Sequence, residues 1–249
     1  MRSPILLCTD LDRTLIPNGK QEESPGARKQ FADFVNKDFV TLAYVTGRDK
    51  DLTRQAVDTY RLPKPDYIIA DVGTSIYATT DSGLALDDEW QQQIKTDWAG
   101  KINQDVRPLF AQFKTLVLQE ESRQTPYKLS YYLALDCPHQ SLFPQLHALT
   151  KKAGVAIRII DSIDEINNIR LVDILPQGAS KRHAIEFLMS KLAFDLHNTV
   201  FAGDSGNDLQ VLASPIQSIL VANASMDIQK MALEKSKLSG NEDSIFIAK

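Results

Sequence analysis

Short apolar runs that each break into a polar motif, with helix-length stretches between them, set the strongest limit on how this chain can fold. Pro4 to Thr9 is the first such run, and its continuous apolar character suits a strand buried on both faces of a parallel sheet. It gives way to Asp10-Leu11-Asp12-Arg13-Thr14, and Ile16 to Glu23 then forms a polar segment suited to a flap over the two aspartates. Ser24-Pro25 offers an N-cap followed by a proline at the first helical position, and Arg28 to Asn36 carries apolar residues at helical spacing. Phe39 to Val45 is the second run and ends in Thr46-Gly47-Arg48. Leu52 to Tyr60 reads as the next helix, Pro63 and Pro65 stop it, and Asp66 to Ala70 begins a third strand. This alternation predicts an α/β fold, a doubly wound Rossmann-like parallel sheet.

The alternation lapses after Asp71-Val72-Gly73-Thr74-Ser75 and resumes at Ile169. Between them the pattern predicts a helix over Glu89 to Phe113, strands at Thr115 to Gln119 and Lys128 to Leu135, a helix at Gln140 to Ala153 and a strand at Val155 to Ile160. Strands without obligatory crossover helices suit a small antiparallel sheet, so residues 80–169 are expected to form an inserted α/β domain, with residues 1–79 and 170–249 as the core. In the returning core pattern, Leu171 to Leu175, Thr199 to Gly203 and Ser218 to Ala222 are expected strands, and Ser180 to Leu192, Asn207 to Ala213 and Ser225 to Leu233 expected helices. Residues from Lys237 onward predict no element.

Composition narrows the setting. A chain of 249 residues, 43% apolar and 24% charged, buries a core without disulfides. Cys8 and Cys137 form no C-x-x-C pair, no apolar run is long enough to span a membrane, and no signal-like segment is present at the start, so a cytoplasmic protein is expected. The net charge of −4, with no basic stripe, argues against nucleic acid as a partner.

Three polar groupings besides the first aspartates fall where a strand gives way to a loop or helix. Thr46-Gly47-Arg48 offers a hydroxyl, an unhindered amide and a guanidinium, all donors to phosphate oxygens. Lys181 lies just inside an expected helix, and Gly203-Asp204-Ser205-Gly206-Asn207-Asp208 adds two carboxylates and an amide. Each alone is compatible with an ordinary turn or a solvated side chain; their joint placement on one rim of a parallel sheet is what points to a site. Asp10, Asp12, Asp204 and Asp208 within ~5 Å of one another would repel by roughly 3 kcal/mol per pair at an effective dielectric of 20. An oxygen-rich, histidine-poor cluster suits a hard divalent cation, Mg²⁺ above all. With that charge neutralised, one aspartate of the first pair can attack phosphorus while the other moves a proton. On the strand at Lys128 to Leu135, alternation puts Lys128, Ser130 and Tyr132 on one polar face, suited to a sugar or to solvent.

Asp10-Leu11-Asp12-x-Thr14, Thr46-Gly47-Arg48, Lys181 and the Gly203 to Asp208 stretch, in this order, resemble the haloacid dehalogenase superfamily of aspartate-nucleophile phosphatases. The resemblance implies Asp10 as nucleophile, Asp12 as general acid and base, and Thr46 and Lys181 as holders of the phosphoryl oxygens. It further implies that Asp10, the Asp12 carbonyl and Asp204 ligate Mg²⁺, with Asn207 and Asp208 in support. Arg13 departs from the Gly or Asn usual there. Asp71-Val72-Gly73-Thr74, Pro126 to Tyr131 and Val172 to Lys181 are similar to stretches of sucrose-phosphate phosphatases. That likeness implies a sugar-reading cap and a phosphorylated disaccharide, sucrose 6-phosphate before others, as substrate, with Gly47, Arg48, Gly73, Thr74, Lys128, Ser130 and Asn207 among the binding residues. Mannosylfructose phosphate, a related glycosyl phosphate, or a phosphosugar mutase reaction are the alternatives. A monomer and an association with a sugar-phosphate synthase are both compatible with it.

Overall fold

A computed structural model describes residues 3–17, 23–164 and 167–248. In chain order the first elements are β1 (Ile5–Thr9), α1 (Ala27–Val35), β2 (Val40–Val45), α2 (Lys50–Tyr60), β3 (Tyr67–Ala70), β4 (Ser75–Thr80) and β5 (Gly83–Leu86). The middle of the chain forms α3 (Asp88–Lys95), α4 (Asn103–Val106), β6 (Val117–Leu118), β7 (Leu129–Leu133), α5 (His139–Lys152), β8 (Ile157–Asp164) and β9 (Ile169–Pro176). The last elements are α6 (Lys181–Lys191), β10 (Thr199–Gly203), α7 (Leu209–Leu212), β11 (Gln217–Leu220), α8 (Met226–Leu238) and β12 (Ile245–Ile247). Most of the predicted segment 16–23 lies outside the described residues. No helix among the described residues is long and apolar enough to cross a membrane.

The chain divides into two compact units, residues 1–87 with 181–249, and residues 88–180. The first is built on an eight-stranded sheet in the order β12-β11-β10-β1-β2-β3-β4-β5, in which β4 pairs antiparallel with both β3 and β5 and every other pair is parallel. Successive strands run outward from β1 in one direction and from β10 in the other, so the β1–β10 boundary is the switch point where a doubly wound sheet opens a crevice. On one side Leu11, Ile16, Val35, Leu42, Tyr44, Ala56 and Leu62 pack together, and Tyr44 donates its buried hydroxyl to the Pro63 carbonyl at 2.8 Å. The second unit carries a four-stranded antiparallel sheet, β6-β7-β9-β8.

The structure corrects several expectations. The run Leu171 to Leu175, expected to resume the core sheet, lies in β9, which pairs along its whole length with β8 and β7 of the second unit. Its apolar character suits either sheet's centre, and periodicity cannot choose between them. The single helix expected over Glu89 to Phe113 breaks into α3, α4 and short 3₁₀ turns, because Ala99 and Gly100 take positive φ and Pro108 removes a donor. Gly26, φ 77, rather than Ser24, caps α1, and no side chain caps that helix. The β4–β5 hairpin and β12 were not predicted; β12 lies within the tail for which no element was expected and pairs parallel to β11.

Helix α2 starts where the Asp49 side chain accepts hydrogen bonds from the Asp51 and Leu52 amides at 2.9 and 2.8 Å. Replacing Asp49 with Ala is expected to cost about 1 kcal/mol in urea unfolding and Asp49→Ser only a fraction of it. Equal losses in the two variants would show that the cap is not what starts α2.

Candidate active site

Asp10, Thr46 and Asp204 each follow the last residue of a strand, β1, β2 and β10, and these three strands are neighbours. The Asp10 amide donates to the Ala202 carbonyl at 2.9 Å, which ties the first motif to the end of β10. Parallel strands bring their carboxyl ends to the same rim, so motifs about 190 residues apart in the chain converge without any long loop.

Lys181, the first residue of α6, is 1% exposed and stands between two carboxylates. Its Nζ donates to Asp10 Oδ1 at 3.0 Å and to Asp208 Oδ1 at 2.7 Å. Burial alone would lower the ammonium's pKa, but Asp10 and Asp208 outweigh it and hold Lys181 protonated above its ordinary range. Asp208 is fixed in turn: its Oδ2 accepts from the Asp204 and Ser205 amides at 3.1 Å each and from Ser205 Oγ at 3.2 Å. The tightness of this turn explains Gly203, where a Cβ would stand 2.6 Å from Asp208 Oδ2.

Asp10, Asp204 and Asp208 are buried, and one oxygen of each lies within 4.8 Å of the others. Burial raises the Asp10 pKa well above the usual carboxylate range, with Asp208 and Asp204 adding to the rise and Lys181 opposing it. Asp204 is pushed up to about 6, first by burial and then by Asp208, against the pull of Arg13 and Lys181. One ammonium does not balance three buried carboxylates, and Asp204 Oδ2 is buried with no hydrogen-bond donor among the described residues, the Arg13 Nε standing 3.4 Å away. An all-oxygen set with a charge deficit and an oxygen that no donor among the described residues meets fits a divalent cation.

The Asp12 carboxylate is not among those three. It stands about a quarter exposed, gripped by Arg48 through Nε to Oδ2 at 2.7 Å and through a terminal guanidinium nitrogen to Oδ1 at 2.6 Å. Arg48, expected as a phosphate donor, is therefore turned to Asp12. Thr46 is fully buried, and its Oγ1 accepts from the Arg48 amide at 3.2 Å. Gly47 lies beside Asn207, whose amide nitrogen is 3.9 Å from where a Cβ on Gly47 would stand; Asn207 Oδ1 accepts from Ser205 Oγ at 3.0 Å. Asp71, Val72 and Gly73 take three successive positive φ values of 53°, 59° and 100°. This turn supports the second motif from behind, with the Asp71 amide on the Arg48 carbonyl at 2.9 Å and the Val72 amide on the Thr46 carbonyl at 3.1 Å. The Thr74 hydroxyl donates to the Asp71 carbonyl at 3.1 Å, so Gly73 and Thr74 shape the turn.

Lys128 and Ser130 belong to the second unit and are both buried. Ser130 donates to Asp173 Oδ1, exchanges amide bonds with the Gln124 side chain at 2.9 and 3.1 Å, and faces Asp173 across the β7–β9 pair. Gln119, Gln124 and Asp173 were missed in the sequence because each lies in a different segment; only the pairing register brings them to Ser130. Arg13, which departs from the Gly or Asn expected there, has a conformational signal: φ 62 beside an ion pair to Asp204.

A family model described as sucrose-6F-phosphate phosphohydrolase matches residues 3–249. The chain belongs to that family. A protein of Nitrosococcus oceani named as a HAD-like hydrolase is 47% identical over 94% of this chain and 63% of its own length. A mannosylfructose-phosphate phosphatase of Agrobacterium fabrum is 30% identical over 93% of this chain and 88% of its own. The crystal structure of the sucrose-phosphatase of Synechocystis sp., in complex with sucrose and phosphate, superposes with a TM-score of 0.80 at 26% identity, covering 100% of this chain and 93% of that one. The chain spans about half the length of the tobacco sucrose-phosphatases it also matches. The α/β core with its second unit is thus the fold of haloacid dehalogenase-like sucrose-phosphatases.

The raised pKa of Asp204 makes a prediction with a defined sign. The folded protein binds a proton at Asp204 that the unfolded chain releases at about pH 4, so without metal this site lowers stability as pH rises from about 4 through 6. In chelator, Asp204→Asn is expected to melt above the wild type at pH 8, by roughly 2 kcal/mol, with the gap closing toward pH 4. A gap that is unchanged across this range would contradict the electrostatic account.

Proposed function

We propose that this chain is a Mg²⁺-dependent hydrolase of phosphoric monoesters that acts on a phosphorylated disaccharide, sucrose 6-phosphate before others, to release the sugar and phosphate. The observation that carries this reading is the buried group of Asp10, Asp204 and Asp208 with Lys181 at the ends of β1 and β10. A site of this kind attracts a phosphate only when its own negative charge is offset. Asp10 and Asp204 would hold the cation, with the Asp12 carbonyl, Asn207 and Asp208 in support, and the cation would offset charge on the carboxylates and on the phosphoryl oxygens.

The chain's own residues then divide the work. Lys181 and the Thr46 hydroxyl bind phosphoryl oxygens, with the Gly47 amide beside them. Asp10 attacks phosphorus; the bond to the sugar oxygen breaks, and Asp12, entering this step as its carboxylic acid, gives that oxygen its proton. Asp12, now a carboxylate, takes a proton from water, whose oxygen attacks the phosphoaspartate. Phosphate leaves and the Asp10 carboxylate is restored. Lys181 keeps Asp10 Oδ1 in place through the cycle, and Asp208 keeps Lys181 in place.

The sugar is assigned to the second unit, with Lys128 and Ser130 as its readers. The family model and the Synechocystis structure favour sucrose 6-phosphate, and the Agrobacterium relative favours mannosylfructose phosphate as the second reading. A cytoplasmic setting, in which the free Cys8 and Cys137 stay reduced, and a sugar-phosphate synthase as the source of substrate complete the proposal.

Phosphate release from sucrose 6-phosphate, mannosylfructose phosphate and hexose monophosphates tests it. We expect turnover in Mg²⁺, a preference for a disaccharide of at least tenfold, and loss of activity in chelator that Mg²⁺ restores. Asp10→Asn is expected to lower kcat by more than a thousandfold, since it removes the attacking oxygen. Preference for a hexose phosphate would overturn the disaccharide, and activity that survives Asp10→Asn would overturn the mechanism.

A further inference from the structure

Arg48 was expected to meet phosphate, yet the edge of its guanidinium formed by Nε and a terminal nitrogen is turned to both oxygens of Asp12. The two bonds use different oxygens of the carboxylate, so the fork fixes the plane of the carboxylate as well as its position. A single bond would leave Asp12 free to turn about its own axis. The arginine is anchored as well: its amide donates to Thr46 Oγ1 at 3.2 Å and its carbonyl accepts from the Asp71 amide at 2.9 Å. The strained turn at 71–73 thus reaches Asp12 through Arg48. The pair is about a quarter exposed, at 27% and 26%, and lies outside the buried carboxylate group, so charge balance there is not its task.

We propose that Arg48 is a positioning residue for Asp12, fixing the plane of its carboxyl group so that, once protonated, it faces the departing sugar oxygen and gives it the proton. This rests on the phosphatase reading above. Its consequence is that Arg48 matters in proportion to the leaving oxygen's need for a proton. A sugar alkoxide needs one, whereas p-nitrophenolate leaves without. A phosphate ligand would serve both substrates alike.

The test compares kcat/KM for the best sugar phosphate and for p-nitrophenyl phosphate in wild type, Arg48→Lys and Arg48→Met. This constant covers steps only through phosphoryl transfer to Asp10, so later hydrolysis does not enter. Arg48→Met is expected to lose about 100-fold on the sugar phosphate and several-fold or less on the aryl phosphate. Arg48→Lys, which cannot fork, should fall nearer to Met than to wild type. A double-mutant cycle gives a second readout on the sugar phosphate alone: in an Asp12→Asn background, Arg48→Met should add less than threefold, because it acts through the missing carboxylate. Equal losses on both substrates, or additive losses in the cycle, would overturn the positioning role while the wild type's activity leaves the phosphatase reading standing. A wild type that turns over neither substrate overturns that reading, and this proposal with it.

Discussion

The interaction on which the rest of the site depends is the buried ammonium of Lys181 between Asp10 and Asp208. Taking these charges out of water costs several kcal/mol for each ion, and their attraction offsets it only if every remaining polar atom is met. The fold meets them in sequence. Gly203 lets the backbone turn tightly enough for Asp208 Oδ2 to collect two amides and a hydroxyl, which leaves Oδ1 for Lys181, and the second bond of Lys181 sets Asp10. The chain of contacts runs from a backbone turn after β10 to a carboxylate after β1. Loss of any member leaves its neighbour buried and uncompensated.

Features that oppose folding collect at this rim. Three carboxylates lie close together in low dielectric, Arg13 sits at φ 62, and Asp71, Val72 and Gly73 form a run of left-handed residues. For the β-branched Val72 such a conformation costs on the order of 1–2 kcal/mol. The sheet beneath is unstrained and apolar, with Leu6, Cys8, Ala43, Tyr44, Val45 and Phe201 fully buried. Stability comes from the strands, and their ends carry the strain that the donors and carboxylates require.

How much of this was legible in the sequence follows from which forces are local. A buried parallel strand writes itself as an apolar run, and chemistry at its end writes itself as the residues that follow; hence Asp10, Thr46 and Asp204 were found at the ends of β1, β2 and β10 from spacing alone. The same rule failed for β9, because an apolar run does not say which sheet it joins, and its partners β7 and β8 are fixed by register. It failed for the break after α3, where Gly100 and Pro108 are compositional marks but the positive φ of Ala99, which ends the first piece, is not. It failed for the polar network around Ser130, because Gln119, Gln124 and Asp173 meet only through cross-strand pairing. Arg48 shows a different limit: residue type allowed either phosphate or carboxylate as its partner, and geometry chose Asp12.

Asp10 and Asp12, separated by one leucine, end in opposite surroundings, and that difference originates in Leu11. Leu11 is fully buried among Ile16, Val35, Leu42 and Tyr44, and its carbonyl accepts from the Leu15 and Ile16 amides at 2.9 and 3.0 Å, so the chain turns immediately after it. Asp10, still in line with β1, faces the buried group with Lys181; Asp12, the first residue inside the turn, stands at the rim with Arg48. A carboxylate held by a buried ammonium is fixed and poorly hydrated, which suits an attacking oxygen. One held by an arginine at the rim keeps its access to water and to a departing group, which suits proton transfer. The two duties need two carboxylates close in space but unlike in environment, and one apolar anchor between them is the shortest stretch of chain that provides both.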